Sequence, residues 1–137
     1  MVANQKNHTK YNIRSAIYTW DNDYKTFTHF NYLDTTGASD VIFAKVGKGL
    51  NFLVLTNFYD GYTTNLHSTI YHIQNNSDYI PYQFLPTKGA MDVEFFVIKA
   101  LEGSNIPDRK FLAFAEAQDV PAVVGNWIFG GVFLVFE

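Results

Sequence analysis

The chain contains no cysteine, which excludes disulfides, thiolate metal sites and a cysteine nucleophile. It does not fix the compartment, because large secreted β domains manage without disulfides. Charge is sparse: 10 Lys and Arg against 13 Asp and Glu give a net charge of −3. Nucleic acid and anionic membrane surfaces both need clustered positive charge, so neither is an expected partner. Long hydrophobic runs are also missing. The longest, 127–136, is too short for a membrane-spanning helix, and the first 20 residues carry no apolar signal-peptide core. No stretch sustains a helical period. The sequence has no G-x-S-x-G and no H-E-x-x-H, and Gly47-Lys48-Gly49 is not a P-loop.

What is present points to strands. The 137 residues are a one-domain length, 47% apolar and 18% aromatic, with 13 Phe and 9 Tyr. Such a chain can bury a core and is not disordered.

The sequence repeats. Ser15-Ala16-Ile17-Tyr18 returns as Ser68-Thr69-Ile70-Tyr71, an offset of 53. Thr35-Thr36-Gly37-Ala38-Ser39-Asp40-Val41 returns as Thr87-Lys88-Gly89-Ala90-Met91-Asp92-Val93, an offset of 52. Phe52-Leu53 returns as Phe111-Leu112 at 59, and the seven extra residues place a longer surface loop at 101–110. Met1-Val2-Ala3-Asn4 resembles Val54-Leu55-Thr56-Asn57, and each Asn lies 11 residues before a Ser. Trp127, Phe133 and Phe136 are spaced like Trp20, Phe27 and Phe30. The organisation is therefore a single all-β region: a partial repeat at 1–14, repeat one at 15–67, repeat two at 68–121 and a partial repeat at 122–137.

Each repeat reads as four short strands, at 15–20, 25–32, 39–46 and 50–57 and then at 68–73, 79–84, 91–99 and 110–116. Gly130-Gly131 is predicted to turn a final hairpin between 127–129 and 132–136. Residues 40–46 are apolar on both faces, with Val41 and Phe43 on one and Ile42, Ala44 and Val46 on the other. A strand apolar on both faces must be covered on both. Four-stranded units covered on each side by their neighbours describe β-propeller blades, here about two full blades with partial blades at each end. The alternative is an antiparallel sandwich.

Several residues carry candidate chemistry. Asp40 and Asp92 occupy equivalent positions, each after Gly-Ala-x and at the start of an apolar strand. Either each carboxylate accepts backbone N–H bonds and closes its turn, or the two converge and a hard cation such as Ca²⁺ relieves their repulsion. Glu94 falls on the same side as Asp92 and is a weaker third candidate. A glycosidase pair is a further reading. It is disfavoured because symmetry-related carboxylates lack the distinct environments that acid and base need. The chain is not expected to be an enzyme.

The linker at 57–65 is rich in Tyr, Asn and Thr. Phe58, Tyr59 and Tyr62 either anchor a protein or sugar partner or pack on the neighbouring unit. Asn7-His8-Thr9 and Asn75-Asn76-Ser77 are sequons in predicted turns, which makes Asn7 and Asn75 glycosylation candidates. His8, His29, His67 and His72 have no metal-ligand spacing, and Gly37 and Gly89 read as structural.

These motifs resemble the epitempin (EAR or EPTP) repeat, whose pattern runs S-x-I-Y-x-W, an aromatic hairpin, T-x-G-A-x-D-x-E-x-F and F-L-x-V-A-N. Ser15 to Trp20, Gly37-Ala38-Ser39-Asp40 and Phe52 to Asn57 carry it in repeat one. Ser68 to Ile73, Gly89-Ala90-Met91-Asp92-Val93-Glu94-Phe95-Phe96 and Phe111 to Glu116 carry it in repeat two. Ile73 departs from the pattern's Trp, Ile42 from its Glu and Glu116 from its Asn. The resemblance implies a propeller of about seven blades, found in secreted and cell-surface proteins such as the leucine-rich glioma-inactivated proteins. It implies recognition of extracellular proteins and an ion held in the channel by aspartates at Asp40 and Asp92. Two to three blades do not close such a ring, so the expectation is part of a longer chain or a homo-oligomer. A glycan-binding lectin acting as a ring, and a structural part of a matrix or filament protein, are the alternative functions.

Overall fold

In the computed structural model the chain is all β. Among the described residues the strands are β1 (Asn12–Asp21), β2 (Thr26–Thr36), β3 (Ala38–Gly47), β4 (Leu50–Asn57), β5 (Asn65–Gln74), β6 (Asp78–Lys88), β7 (Ala90–Ile98), β8 (Arg109–Ala117) and β9 (Phe129–Phe136). The structure describes residues 1–47, 49–75 and 77–117, and the backbone alone of 129–136. The strands form three antiparallel sheets in the orders β1-β2, β3-β4-β5-β6 and β7-β8-β9. The sheets stack face to face in the manner of propeller blades.

Sheet and repeat are out of phase. The second sheet takes β3 and β4 from repeat one and β5 and β6 from repeat two. The cause is local. Only Gly37 separates β2 from β3, and only Gly89 separates β6 from β7. One residue is too few to turn a hairpin, for which two is the usual minimum. The chain therefore leaves one sheet and enters the next. Both glycines have positive φ, +57° and +62°, in the left-handed region that a side chain disfavours. A Cβ there would also collide with the carbonyl oxygen of Tyr59 at Gly37, and with that of Ala117 at Gly89.

The first four residues behave as the repeat predicts. Val2 bridges Ala16, with its N–H 2.8 Å from the Ala16 carbonyl oxygen. That is the place of Leu55 beside Thr69 in the second sheet. The irregularities recur as well: the register shifts between Ile17 and Tyr18 and again between Ile70 and Tyr71, and between Ala38 and Asp40 and again between Ala90 and Asp92.

The hairpin expected at Gly130-Gly131 does not form. Residues 129–136 are one strand, with Gly131 opposite Ala115 and Gly130 opposite Glu116. A continuous strand pairs the whole free edge of β8, whereas a two-residue turn there would leave half of that edge unpaired. β9 thus holds the place beside β8 that β5 holds beside β4, not the outer position implied by matching Phe133 to Phe27. Trp127 lies outside the described residues.

Two apolar clusters occupy the two faces of the second sheet. Ala44, Phe52, Val54, Ile70 and Leu85 meet Val93, Leu112 and Phe114 of the third sheet, with Ile42 and Val46 packed against them. On the other face Leu53, Leu55, Tyr71 and Ile73 meet Ile17 and Leu33 of the first sheet, joined by Val41. Each fully buried Leu or Ile contributes about 1.5–3 kcal/mol, so these faces hold the sheets together. Phe43 departs from the expectation of a covered strand, being 59% exposed.

Candidate functional site

The step from sheet to sheet is fixed by a hydrogen-bond grid that occurs twice. Ser15 Oγ lies 2.9 Å from Thr35 Oγ1, and Ser68 Oγ lies 2.9 Å from Thr87 Oγ1. Both serines are fully buried, so leaving either unpaired would cost about 1–3 kcal/mol. Asn4 donates its N–H to Ser15 Oγ at 3.0 Å and its Nδ2 to the Arg14 carbonyl at 2.9 Å. Asn57 repeats this on Ser68 and on the His67 carbonyl, at 3.4 and 2.8 Å. These bonds are the physical content of the 11-residue Asn to Ser spacing.

The same Asn57 clamps the preceding sheet, its Oδ1 accepting the Thr36 N–H at 3.1 Å. Glu116 takes over this acceptor role for the Lys88 N–H at 3.0 Å. A carboxylate keeps the acceptor and loses the amide donor, which explains how Glu stands where the repeat has Asn. The strand crossings are pinned equally: Gly37 donates to the Tyr11 carbonyl and Gly89 to the Thr64 carbonyl, both at 2.8 Å.

Along the β3 and β7 edges this grid brings Asp40 and Asp92 together. They lie on β3 and β7, the first strands of adjacent sheets. Thr56 Oγ1 accepts the Asp40 N–H at 2.8 Å, and Ser39 Oγ donates to the Ala90 carbonyl at 2.6 Å, which ties the two strands. Asp40 Oδ2 and Asp92 Oδ1 both accept the N–H of Val93 at 3.1 Å. The hydrogen bond to the Asp40 carboxylate, then partial desolvation, then the Asp40 charge raise the Asp92 pKa above its ordinary value. Glu94 adds a smaller push in the same direction. Among the described residues no three His, Asp or Glu side chains converge on one point. Two carboxylates by themselves provide fewer oxygens than the six to eight that Ca²⁺ takes.

The linker after β4 is held rigid. Asp60 Oδ1 accepts the N–H groups of Tyr62 at 2.7 Å and of Thr63 at 2.8 Å. These two donors, Thr63 foremost, hold the Asp60 carboxyl below its usual range. The three aromatics of this linker part company. Tyr59 packs edge-on against Tyr11, ring centroids 5.0 Å apart. Phe58 lines a cavity of about 320 Å³ with Ser39 and Met91. Tyr62 is 95% exposed.

Asn7 and Asn75 are exposed in turns, Asn7 pairing with Lys10 and Asn75 at a φ of +49°. Asn76, the middle residue of the second sequon, lies outside the described residues. The long loop before β8 is closed by a Lys99 Nζ to Asp108 Oδ2 ion pair at 2.6 Å. The histidines are dispersed: His8 bonds Asn7, His29 packs with Tyr18 and Tyr32, and His72 packs with Phe52 and Tyr82. Among the described residues no helix is long and apolar enough to cross a membrane.

Sequence reasoning missed two features. Thr35 and Thr87 stood inside the repeated motif, so their recurrence was the available signal. Asn51 Oδ1 is a buried side-chain acceptor without a hydrogen-bond partner among the described residues. It lines a cleft of about 310 Å³ between the first and second sheets.

Over 95 residues, 69% of this chain, the sequence is 35% identical to a thrombospondin-type laminin G domain and EAR repeat-containing protein of Mus musculus. The Homo sapiens protein of the same description matches over the same length at the same identity. The matched region is 14% of each of these proteins, so the chain spans only a small part of the curated relatives it matches. No family model matches the chain, and no solved structure matches it.

Proposed function

We propose that the chain is a divergent EAR-type repeat region that works outside the cell as a non-catalytic recognition module, binding a protein partner through its inter-strand loops. One observation carries this reading: a hydrogen-bonded scaffold presents an Asp60-rigidified loop whose Tyr62 is 95% exposed. A large amphipathic ring held out by a rigid loop gives contact area at little entropic cost. The similarity to EAR repeat-containing proteins supports the repeat type. The equivalent aspartates are read as part of a cation site, with Asp40 and Asp92 supplying two carboxylates.

Val2, Trp20 and Phe27 stand where Leu55, Ile73 and Tyr79 stand in the second sheet, yet they are exposed. On the third sheet Phe96 stacks on Phe111 at 5.2 Å, on the face away from Val93 and Leu112. These two faces are the two halves of the junction that joins the sheets inside the chain. Further sheets of a longer chain, or further copies of this one, would cover them.

A binding screen against extracellular and cell-surface proteins, run in parallel with the native chain and with Tyr62→Ala, tests the proposal. The expected result is a binder that the variant loses while its melting temperature is unchanged. A binder indifferent to Tyr62 removes this loop as the contact. Binding confined to a glycan array turns the reading to a lectin.

A further inference from the structure

The cleft between the first and second sheets is an unfilled aromatic position. In repeat one, Trp20 pairs across the strands with Phe27, their rings edge-on at 5.1 Å and 72°. In repeat two the equivalent cross-strand pair is Ile73 and Tyr79. Ile73 has replaced the indole, and both residues line the cleft of about 310 Å³. That volume is at the small end of ligand pockets.

The register also places Asn51 directly opposite Ile73. Its Oδ1 is buried in the cleft wall and has no hydrogen-bond partner among the described residues. An orphaned buried acceptor costs about 1–3 kcal/mol, and an arriving donor recovers much of that. The rest of the wall is Met1, Ile17, Tyr18, Leu53, Ile73 and Tyr79, with Phe43 exposed at the rim. The cleft therefore has a shape, aromatic neighbours in Tyr18 and Tyr79, and one unpartnered acceptor.

We propose that this cleft binds an indole ring, which lies against Tyr79 and donates its ring N–H to Asn51 Oδ1. The ring supplies from outside what Trp20 supplies within its own repeat. Edge-on contact with Tyr79 is the geometry that aromatic pairs favour. A free indole and the side chain of a partner's tryptophan offer the same chemistry.

Titration of the full chain with 3-methylindole, followed by NMR at the Ile73 and Met1 methyl groups, tests this directly. Saturable shifts at both methyls are expected, and binding of 1-methylindole, which lacks the N–H, should be about tenfold weaker. Asn51→Leu should bring 3-methylindole down to the level of 1-methylindole. Ile73→Trp should fill the cleft and abolish the shifts. No shift at the solubility limit of 3-methylindole overturns the site. Equal binding of the two probes, or no effect of Asn51→Leu, overturns the role given to Asn51. A Gly-Trp-Gly peptide separates the two sources: shifts with the peptide assign the cleft to a partner's tryptophan, and shifts with 3-methylindole alone assign it to a free small molecule.

Discussion

Asp40 and Asp92, 52 residues apart and on different sheets, converge on one donor: each places a carboxylate oxygen 3.1 Å from the Val93 N–H. Two ionised carboxylates sharing one N–H repel each other. If Asp92 carries a proton, it can instead donate to Asp40. This is why the Asp92 pKa is raised, with the Asp40 hydrogen bond as the first cause.

The sign of the pH effect follows from that shift. A group with a raised folded-state pKa contributes stability that is fully present below its unfolded pKa, near 3.8. The contribution is lost as pH rises through the folded value. Asp60 and Asp108 act oppositely, because their carboxyls are lowered by hydrogen bonds to Thr63 and Tyr62 and to Lys99 and Ala100. The comparison must therefore be between the native chain and Asp92→Asn. The amide donates to Asp40 at every pH, so the variant should gain stability relative to the native chain between pH 3 and 7. Asp92 is largely exposed, so the gain should stay within about 1 kcal/mol. Parallel urea midpoints across this range would show that the pair is not the source.

Calcium is the second test of the same pair. If a cation joins Asp40 and Asp92, millimolar Ca²⁺ should raise the melting temperature and a chelator should reverse the rise. Ligand at 100 times its Kd stabilises by about 2.7 kcal/mol. The double variant Asp40→Asn with Asp92→Asn should lose the response. A rise that survives the double variant would place the ion elsewhere.

The crossing glycines should be the least replaceable residues in the chain. Gly37→Ala and Gly89→Ala each combine positive φ with a collision against a backbone carbonyl. Gly103 has a φ of +81° and open space around its Cβ position. Gly103→Ala should cost about 1–2 kcal/mol for backbone conformation alone. The two crossing variants should cost more than about 3 kcal/mol, since the clash adds to that. Denaturant unfolding of the three variants measures the difference, and equal costs would mean that the crossings relax.

Much of this architecture was legible because the chain states it twice. Gly37 and Gly89, and Ser15 and Ser68, recur in register, and each does in the fold what its counterpart does; Asp40 and Asp92 also recur in register, but Asp40 reaches into the next sheet while Asp92 bonds within its own strand. The phase of the sheets was harder to read, because a periodic sequence has no marked beginning. The signal lay in the single residue between β2 and β3, too short for a hairpin. Gly130-Gly131 misled because two glycines suit a turn, yet also fit a strand where β8 needs a partner. Asn51 was illegible for a different reason. Its orphaned oxygen depends on what lies across the sheet at Ile73, and that pairing is known only once the register is.

The exposed faces of the first and third sheets give association between copies a direction. Inside the chain, the face of one sheet bearing Val54 and Ile70 always meets the next sheet's face bearing Leu112 and Phe114, never its own kind. A junction between copies built on the same surfaces is therefore head to tail, with Phe96 and Phe111 of one copy against Trp20 and Phe27 of the next. Such a contact does not close on itself as a twofold dimer does. The native chain should gain mass with concentration in light scattering, and Trp20→Asp or Phe96→Asp should each hold it near 15.6 kDa. A mixture of the two variants is the deciding sample. The Trp20→Asp copies keep an intact third sheet and the Phe96→Asp copies an intact first sheet, so the mixture should form a dimer and stop there. A mixture that stays monomeric while the native chain associates would show that the copies meet through other surfaces.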